Sequence, residues 1–323
     1  MPHESRPAKP RVAVVHGMDR RENIRQAQLL LGPPYVERIT RAQRIFIHPN
    51  FVSDKNQLAS THVEAVRAVL DLISLLRADV VLIGDASYQN TKKAWERFGY
   101  ESLRRSGNVR LLDLNDDETV EGFAYDRNFQ RQSVPFSKTV LESDCVILVV
   151  PAKTHSYYAV TLSLKTHVVG SMVVPRSPFG IHARWPYVHS GYAAAHRTLA
   201  DWYNDHPAAA AIIDGREAME GNGPTSGTKA ELNWAVASLD PVAADAVASF
   251  LMGFDVEEIG YLVYLREAGF VINPFAMEIV GEERWQDLRQ DLERPETYPE
   301  IIGWREGQHR HIPGTPERKA PYG

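Results

Sequence analysis

Short apolar segments alternate with amphipathic helical stretches along most of this chain, and that alternation favours a sheet flanked by helices. Residues 11–16, 44–47, 79–83, 109–114 and 144–150 read as strands. Residues 61–77 place Val63, Val66, Val69, Leu70 and Ile73 at helical spacing, and 91–106 and 192–204 are further helices. Later, an apolar strand ends at Asp214 and 231–238 forms another. Asp240 caps a helix that Pro241 opens, 256–268 is helical, and 278–280 is an edge strand. The expected architecture is α/β: a three-layer sandwich with a mostly parallel central sheet flanked by helices.

With 323 residues, 44% of them hydrophobic, the chain can bury one large core. A single domain over 11–306 is expected, between a flexible segment 1–10 and an extended, proline-containing tail 307–323. Two stretches break the alternation and read as lid-like insertions, 121–138 and 175–191; the second gathers His182, Arg184, Trp185, Tyr187 and His189. A net charge of -5 offers no basic surface of the kind that dominates nucleic-acid affinity. No apolar run reaches the length of a membrane span, and segment 1–10 lacks the apolar stretch of a secretion signal. A cytoplasmic protein with no nucleic-acid or membrane partner is the expectation. The lone Cys145 lies inside an apolar strand and reads as a core residue rather than a nucleophile. There is no P-loop, no Gly-x-Ser-x-Gly elbow and no Gly-x-Gly-x-x-Gly opening a helix, which counts against phosphoryl transfer from nucleotides and against serine hydrolysis.

Two polar runs carry the chemistry. Residues 214–227 set Asp214, Glu217 and Glu220 among four glycines after an apolar strand, a composition that lets a loop approach a ligand closely. Pro151-Ala-Lys153-Thr154-His155 follows strand 144–150, at the edge where open α/β sheets bind ligands. Residues 161–170 add Lys165 and His167, and in a helix Lys165 lies one turn from Thr161. Asp245, in the helix after Asp240, is expected to support the acidic loop.

Several ordered pieces resemble the prokaryotic domain-of-unknown-function family 362: His48-Pro49-Asn50, Gly84-Asp85, Lys153-Thr154-His155, 161–170, 214–227, and 240–245 with Gly253. The resemblance runs from about residue 40 to 270 and implies an α/β fold with a site at the sheet edge. Some relatives carry a ferredoxin-like iron–sulfur module. Here a cluster of cysteines is missing, so no iron–sulfur cluster is expected. Two further departures are His48 in place of the usual lysine and Lys165-Thr166 in place of Lys-Asn.

The candidate site joins His48, Asn50, Asp85, Lys153, His155, Lys165, Asp214 and Glu220. Imidazoles with carboxylates suit a divalent transition metal such as iron, manganese or zinc, and His48, Asp85, His155, Asp214 and Glu220 are the candidate ligands. Lys153, His155, Lys165 and Asp214 are the candidate catalytic groups; Asn50, Thr154, Thr161, Gly221 and Gly223 are assigned to substrate. The leading expectation is a metal-dependent enzyme acting on a small carboxylate- or phosphate-bearing molecule, with redox or oxygen chemistry suggested by His48. The alternatives are a metal-independent Lys/His acid–base enzyme of racemase or lyase type, and a non-catalytic cofactor-binding or electron-transfer partner protein.

Overall fold

The computed structural model describes residues 9–77 and 79–306. The expected tail 307–323 and residues 1–8 of the N-terminal segment lie outside them. Among the described residues there are twelve strands: β1 (Arg11–His16), β2 (Ile45–Pro49), β3 (Val81–Asp85), β4 (Val109–Asp113), β5 (Thr119–Tyr125), β6 (Arg131–Ser137), β7 (Cys145–His155), β8 (Ala159–Thr161), β9 (Ala210–Glu220), β10 (Thr228–Ala230), β11 (Trp234–Ser238) and β12 (Glu278–Gly281). Ten form one sheet in the order β12-β1-β11-β9-β7-β2-β3-β4, with β8 added to β7 and β10 to β9. Along that path β1 and β9 each pair antiparallel with β11, and every other pairing is parallel. The fold is therefore α/β with a mostly parallel central sheet, as expected.

Residue alternation along β7 shows how the layers form. Ile147 and Val149 enter a core with helices Arg20–Leu30, Pro33–Arg41, Val63–Leu76 and Thr91–Arg97. Leu148 and Val150 enter a second core with helices Ser163–Val169, Tyr192–Asp205, Pro241–Leu251 and Gly260–Glu267. A strand covered on both faces must be apolar at every position, which is why 145–150 reads as an unbroken apolar run. Cys145 is part of the first core, and burial pushes its thiol up to about 11, as a packing role requires.

Several local expectations are corrected. The helix expected over 91–106 breaks at Gly99, which takes a φ of 80°, and a 3-10 segment, Tyr100–Ser106, follows. Residues 256–268 divide into a 3-10 turn, Val256–Glu258, and the helix Gly260–Glu267. The insertion expected over 121–138 is the β5–β6 hairpin. It packs on helix Tyr192–Asp205, where the Tyr125 N–H donates to Thr198 Oγ1 (2.8 Å) and the Tyr125 hydroxyl to Asp201 (2.9 Å).

The largest differences concern the two polar runs: 151–155 is strand throughout, and 214–227 is strand as far as Glu220 and a turn from Gly221 on. β7 continues through Pro151 to His155. It has passed the end of β2 by then, the last pair being Pro49 with Val149, and a bulge falls between Pro151 and Lys153. β8 then flanks it, pairing Lys153 with Thr161. β9 likewise runs through the acidic stretch to Glu220, held by β11 and β10. At Gly215 a β-carbon would collide with the Trp234 ring, so the glycine is needed for packing against β11 rather than for a loop. Asp240 caps helix Pro241–Leu251 as expected, its Oδ1 accepting from the N–H groups of Val242 and Ala243. Among the described residues no helix is long and apolar enough to cross a membrane.

Candidate active site

The C-terminal ends of β2, β3 and β7 lie side by side, because these three strands are parallel neighbours. That geometry delivers Asn50, Asp85, Lys153 and His155 to one rim. Thr161 arrives on β8, Lys165 on helix Ser163–Val169, and Arg184, Trp185 and His189 from the irregular stretch that follows. Together with Tyr88 and several apolar side chains they line a cavity of about 300 Å³.

Lys153 is completely buried, and its Nζ donates to Asn50 Oδ1 (2.5 Å) and the Ala59 carbonyl (2.6 Å). Burial, then the neighbouring Lys165 ammonium, hold its pKa well below the usual lysine value, with Asp85 opposing them. Lys153 therefore pins Asn50 and the chain at Ala59. Lys165 differs: among the described residues its ammonium forms no hydrogen bond or ion pair, and Nζ lies 5.4 Å from the centre of the Tyr158 ring. Burial lowers it to about 8 despite the favourable Asp85 charge.

His155 accepts the Tyr157 N–H at Nδ1 (2.9 Å), so the neutral ring carries its proton on Nε2. Burial first, and then the Lys165 charge, push its pKa well below the ordinary histidine value. The cavity thus presents an unpaired ammonium and a neutral imidazole. Arg184 serves as framework. Its Nε donates to the Met172 carbonyl, Nη1 to the carbonyls of Ser87 and His182, and Nη2 to Asn115 Oδ1 at 2.7 Å. Burial lowers its pKa to about 10.

Asp85 accepts the Phe51 N–H at Oδ2 (2.7 Å). Its Oδ1 lies 3.4 Å from Nε2 of the fully buried His48, and among the described residues neither ring nitrogen of His48 has a hydrogen-bond partner. Gly170 closes over this pair: a β-carbon there would meet Asp85 Oδ1, the Thr166 carbonyl and His48 Nε2 at once. Gly170→Ala is therefore expected to cost about 1–3 kcal/mol by overpacking, measured as a lower denaturant midpoint.

Helix Ser163–Val169 is held at its start by Asp245. This buried carboxylate accepts the Ser163 N–H (2.9 Å) and hydroxyl, the Leu164 N–H (3.1 Å) and the Tyr261 hydroxyl (3.1 Å). Asp245 supports the segment that carries Lys165, not the acidic run of β9, which corrects the expectation for it.

Of the residues singled out from sequence, Asn50, Asp85, Lys153, His155, Thr161 and Lys165 meet around the cavity, with His48 in contact with Asp85. The others do not join them. Asp214 shares the alternation of Ala210 and Ile212, so it points to the face covered by helix Arg20–Leu30, where it pairs with Arg20 at 2.6 Å and accepts the Arg216 N–H. Burial raises its pKa while Arg20 pulls it down. Glu220 accepts the Glu293 N–H (2.9 Å). The Thr154 hydroxyl donates to the Gly221 carbonyl (2.9 Å), and the Gly223 carbonyl accepts the Ser156 N–H, so these three residues brace one another rather than line the cavity. The five candidate metal ligands are thus not gathered, and among the described residues no three His, Cys, Asp or Glu side chains converge as a metal site. Sequence reasoning noted Arg184, Trp185 and His189 only as part of an insertion. Tyr88 was missed, although its place three residues after the strand end at Asp85 was the available signal.

No curated protein matches the chain. It is similar to the solved structure of the lactate racemase apoprotein from Thermoanaerobacterium thermosaccharolyticum, at 12% identity and a TM-score of 0.48; the similarity covers 77% of this chain and 59% of that one. Residues 45–250, which include β2, β3, β7, β8 and the helix bearing Lys165, match the family described as "Domain of unknown function (DUF362)". That match spans more than half of the chain and agrees with the ordered motifs, and the chain belongs to this family.

Proposed function

We propose that the cavity binds a small anionic molecule and carries out acid–base chemistry on it, with Lys165 and His155 as the catalytic pair. The observation that carries this reading is the Lys165 ammonium, buried in the cavity wall with no hydrogen bond or ion pair among the described residues. Such a group is costly unless a ligand anion completes it. A lysine lowered to about 8 exchanges its proton near neutral pH, which suits a general acid or base. His155, kept neutral with its proton on Nε2, is a hydrogen-bond donor for charge that develops on the substrate. Lys153 and Asn50 hold each other at the rim, and Asp85 supplies the balancing carboxylate.

A metal-dependent reading has one observation in its favour, the unpartnered nitrogens of His48 beside Asp85 Oδ1. Two ligands fall short of the three protein ligands usual in catalytic zinc sites, and His155, Asp214 and Glu220 do not complete the set. The ligand geometry therefore supports the acid–base reading better.

The test is calorimetric titration of acetate and inorganic phosphate into protein of measured metal content, together with proton NMR in D2O of a panel of small carboxylates. An anion is expected to bind at pH 7. Its affinity falls about tenfold for each pH unit above about 8, as the Lys165 ammonium loses its proton. Deuterium should wash into the position next to the carboxylate of a substrate, and Lys165→Met should stop both binding and exchange. Binding and exchange that survive in Lys165→Met, or that require a stoichiometric metal, overturn the reading.

A further inference from the structure

The polar groups account for only part of the cavity wall. Val52, Ala86, Val169 and Val188 line it alongside Tyr88 and Trp185, so the charged groups share the wall with a larger apolar area. Tyr88 and Trp185 lie against each other, ring centres 5.5 Å apart at 40°, and form a continuous aromatic surface. Trp185 is unusual in this chain. It is 39% exposed, whereas Trp95, Trp202, Trp234, Trp285 and Trp304 are all 6% exposed or less. Its position is set from behind, because the adjacent Arg184 is tied to the carbonyls of Met172, Ser87 and His182 and to Asn115. An exposed indole held by a rigid neighbour at a cavity wall is a preformed contact for a flat apolar group.

We infer that the ligand is a monocarboxylate with an apolar, planar body: its carboxylate meets the Lys165 ammonium and its body lies against Trp185 and Tyr88. This rests on the reading of Lys165 as the anion-binding group. A monoanionic carboxylate fits better than a phosphate because the other cations of the wall are already taken. Among the described residues the Arg184 guanidinium is spent on protein acceptors and Lys153 on Asn50 and Ala59, so Lys165 is the cation left to face a ligand anion, with the His155 N–H and the unpartnered Thr161 hydroxyl as neutral donors. The volume, about 300 Å³, lies at the lower end for small-molecule sites and suits one ring rather than a nucleotide-sized ligand.

The probes are phenylacetate, acetate and 2-phenylethylamine, titrated calorimetrically into wild type, Trp185→Ala and Lys165→Met at pH 7. Phenylacetate is expected to bind wild type at least about tenfold more tightly than acetate, since a buried ring removes ample apolar surface from water. 2-Phenylethylamine should not bind. Trp185→Ala, a truncation of a partly exposed side chain, should erase most of the advantage of phenylacetate over acetate when both are titrated into that variant. Lys165→Met should abolish binding of both acids. Equal affinity for the two acids, or a preference that persists in Trp185→Ala, overturns this inference while the anionic reading stands. Failure of both acids to bind wild type overturns both, and tight binding of the amine does the same.

Discussion

Lys165→Met is expected to make the protein more stable while destroying anion binding. Burial lowers Lys165 from 10.5 to about 8, and at pH 7 the folded protein still carries it as an ammonium. Holding that charge in the cavity wall costs about 3 kcal/mol relative to the unfolded chain. A methionine of similar shape removes this net cost, in which the favourable Asp85 charge is already counted, and gives up the weak contact with the Tyr158 ring, so a net gain of about 2–3 kcal/mol is expected in denaturant unfolding at pH 7. The sign can be checked through pH. Because the folded pKa is depressed, the penalty is full below about 8 and vanishes above 10.5, so the two proteins should converge in stability across that window. If Lys165→Met is less stable than wild type at pH 7, Lys165 is not an uncompensated cation awaiting a ligand.

Asp245→Ala should have the opposite effect, a loss of about 3–5 kcal/mol, because it strips the acceptor from buried donors on Ser163, Leu164 and Tyr261. The helix that carries Lys165 then loses its anchor, and acetate binding should weaken along with stability. Burial outweighs those hydrogen bonds and raises the Asp245 carboxyl to about 6. A raised carboxyl contributes stability that is fully present below its unfolded value near 3.8 and is lost as pH rises through about 6. The gap between wild type and Asp245→Ala should accordingly widen by about 2 kcal/mol between pH 7 and pH 4. A gap that is flat or narrows over this range removes the buried carboxylate as the cause.

Much of the candidate site was legible because its members occupy positions with a periodic signal. Asn50, Asp85 and Lys153 lie at or just beyond apolar strand segments. Parallel strands bring such positions to a common edge whatever their separation in sequence. Lys165 follows in the next helix and was within reach of the same reasoning. Arg184, Trp185 and His189 were not, since 175–191 has neither the two-residue nor the 3.6-residue period that places a side chain on a face. Asp214 and Glu220 misled for a different reason. Acids among glycines have the composition of a loop, yet pairing with β10 and β11 keeps that stretch extended, and only that pairing makes the alternation apply.

By itself, the amino-acid sequence determined the layered α/β arrangement, the burial of Cys145, the cap at Asp240 and the family, because each follows from local pattern, and a pattern of apolar positions survives whatever packs against it. Tertiary structure alone decided which polar groups would meet. One step along β9 separates the face of Asp214 from the face where helix Ser163–Val169 lies, and a strand's register against its neighbours sets that choice. Among the described residues it also left Lys165 with no hydrogen bond or ion pair while giving Lys153 and Arg184 theirs, a difference of hydrogen-bond geometry between residues of the same charge.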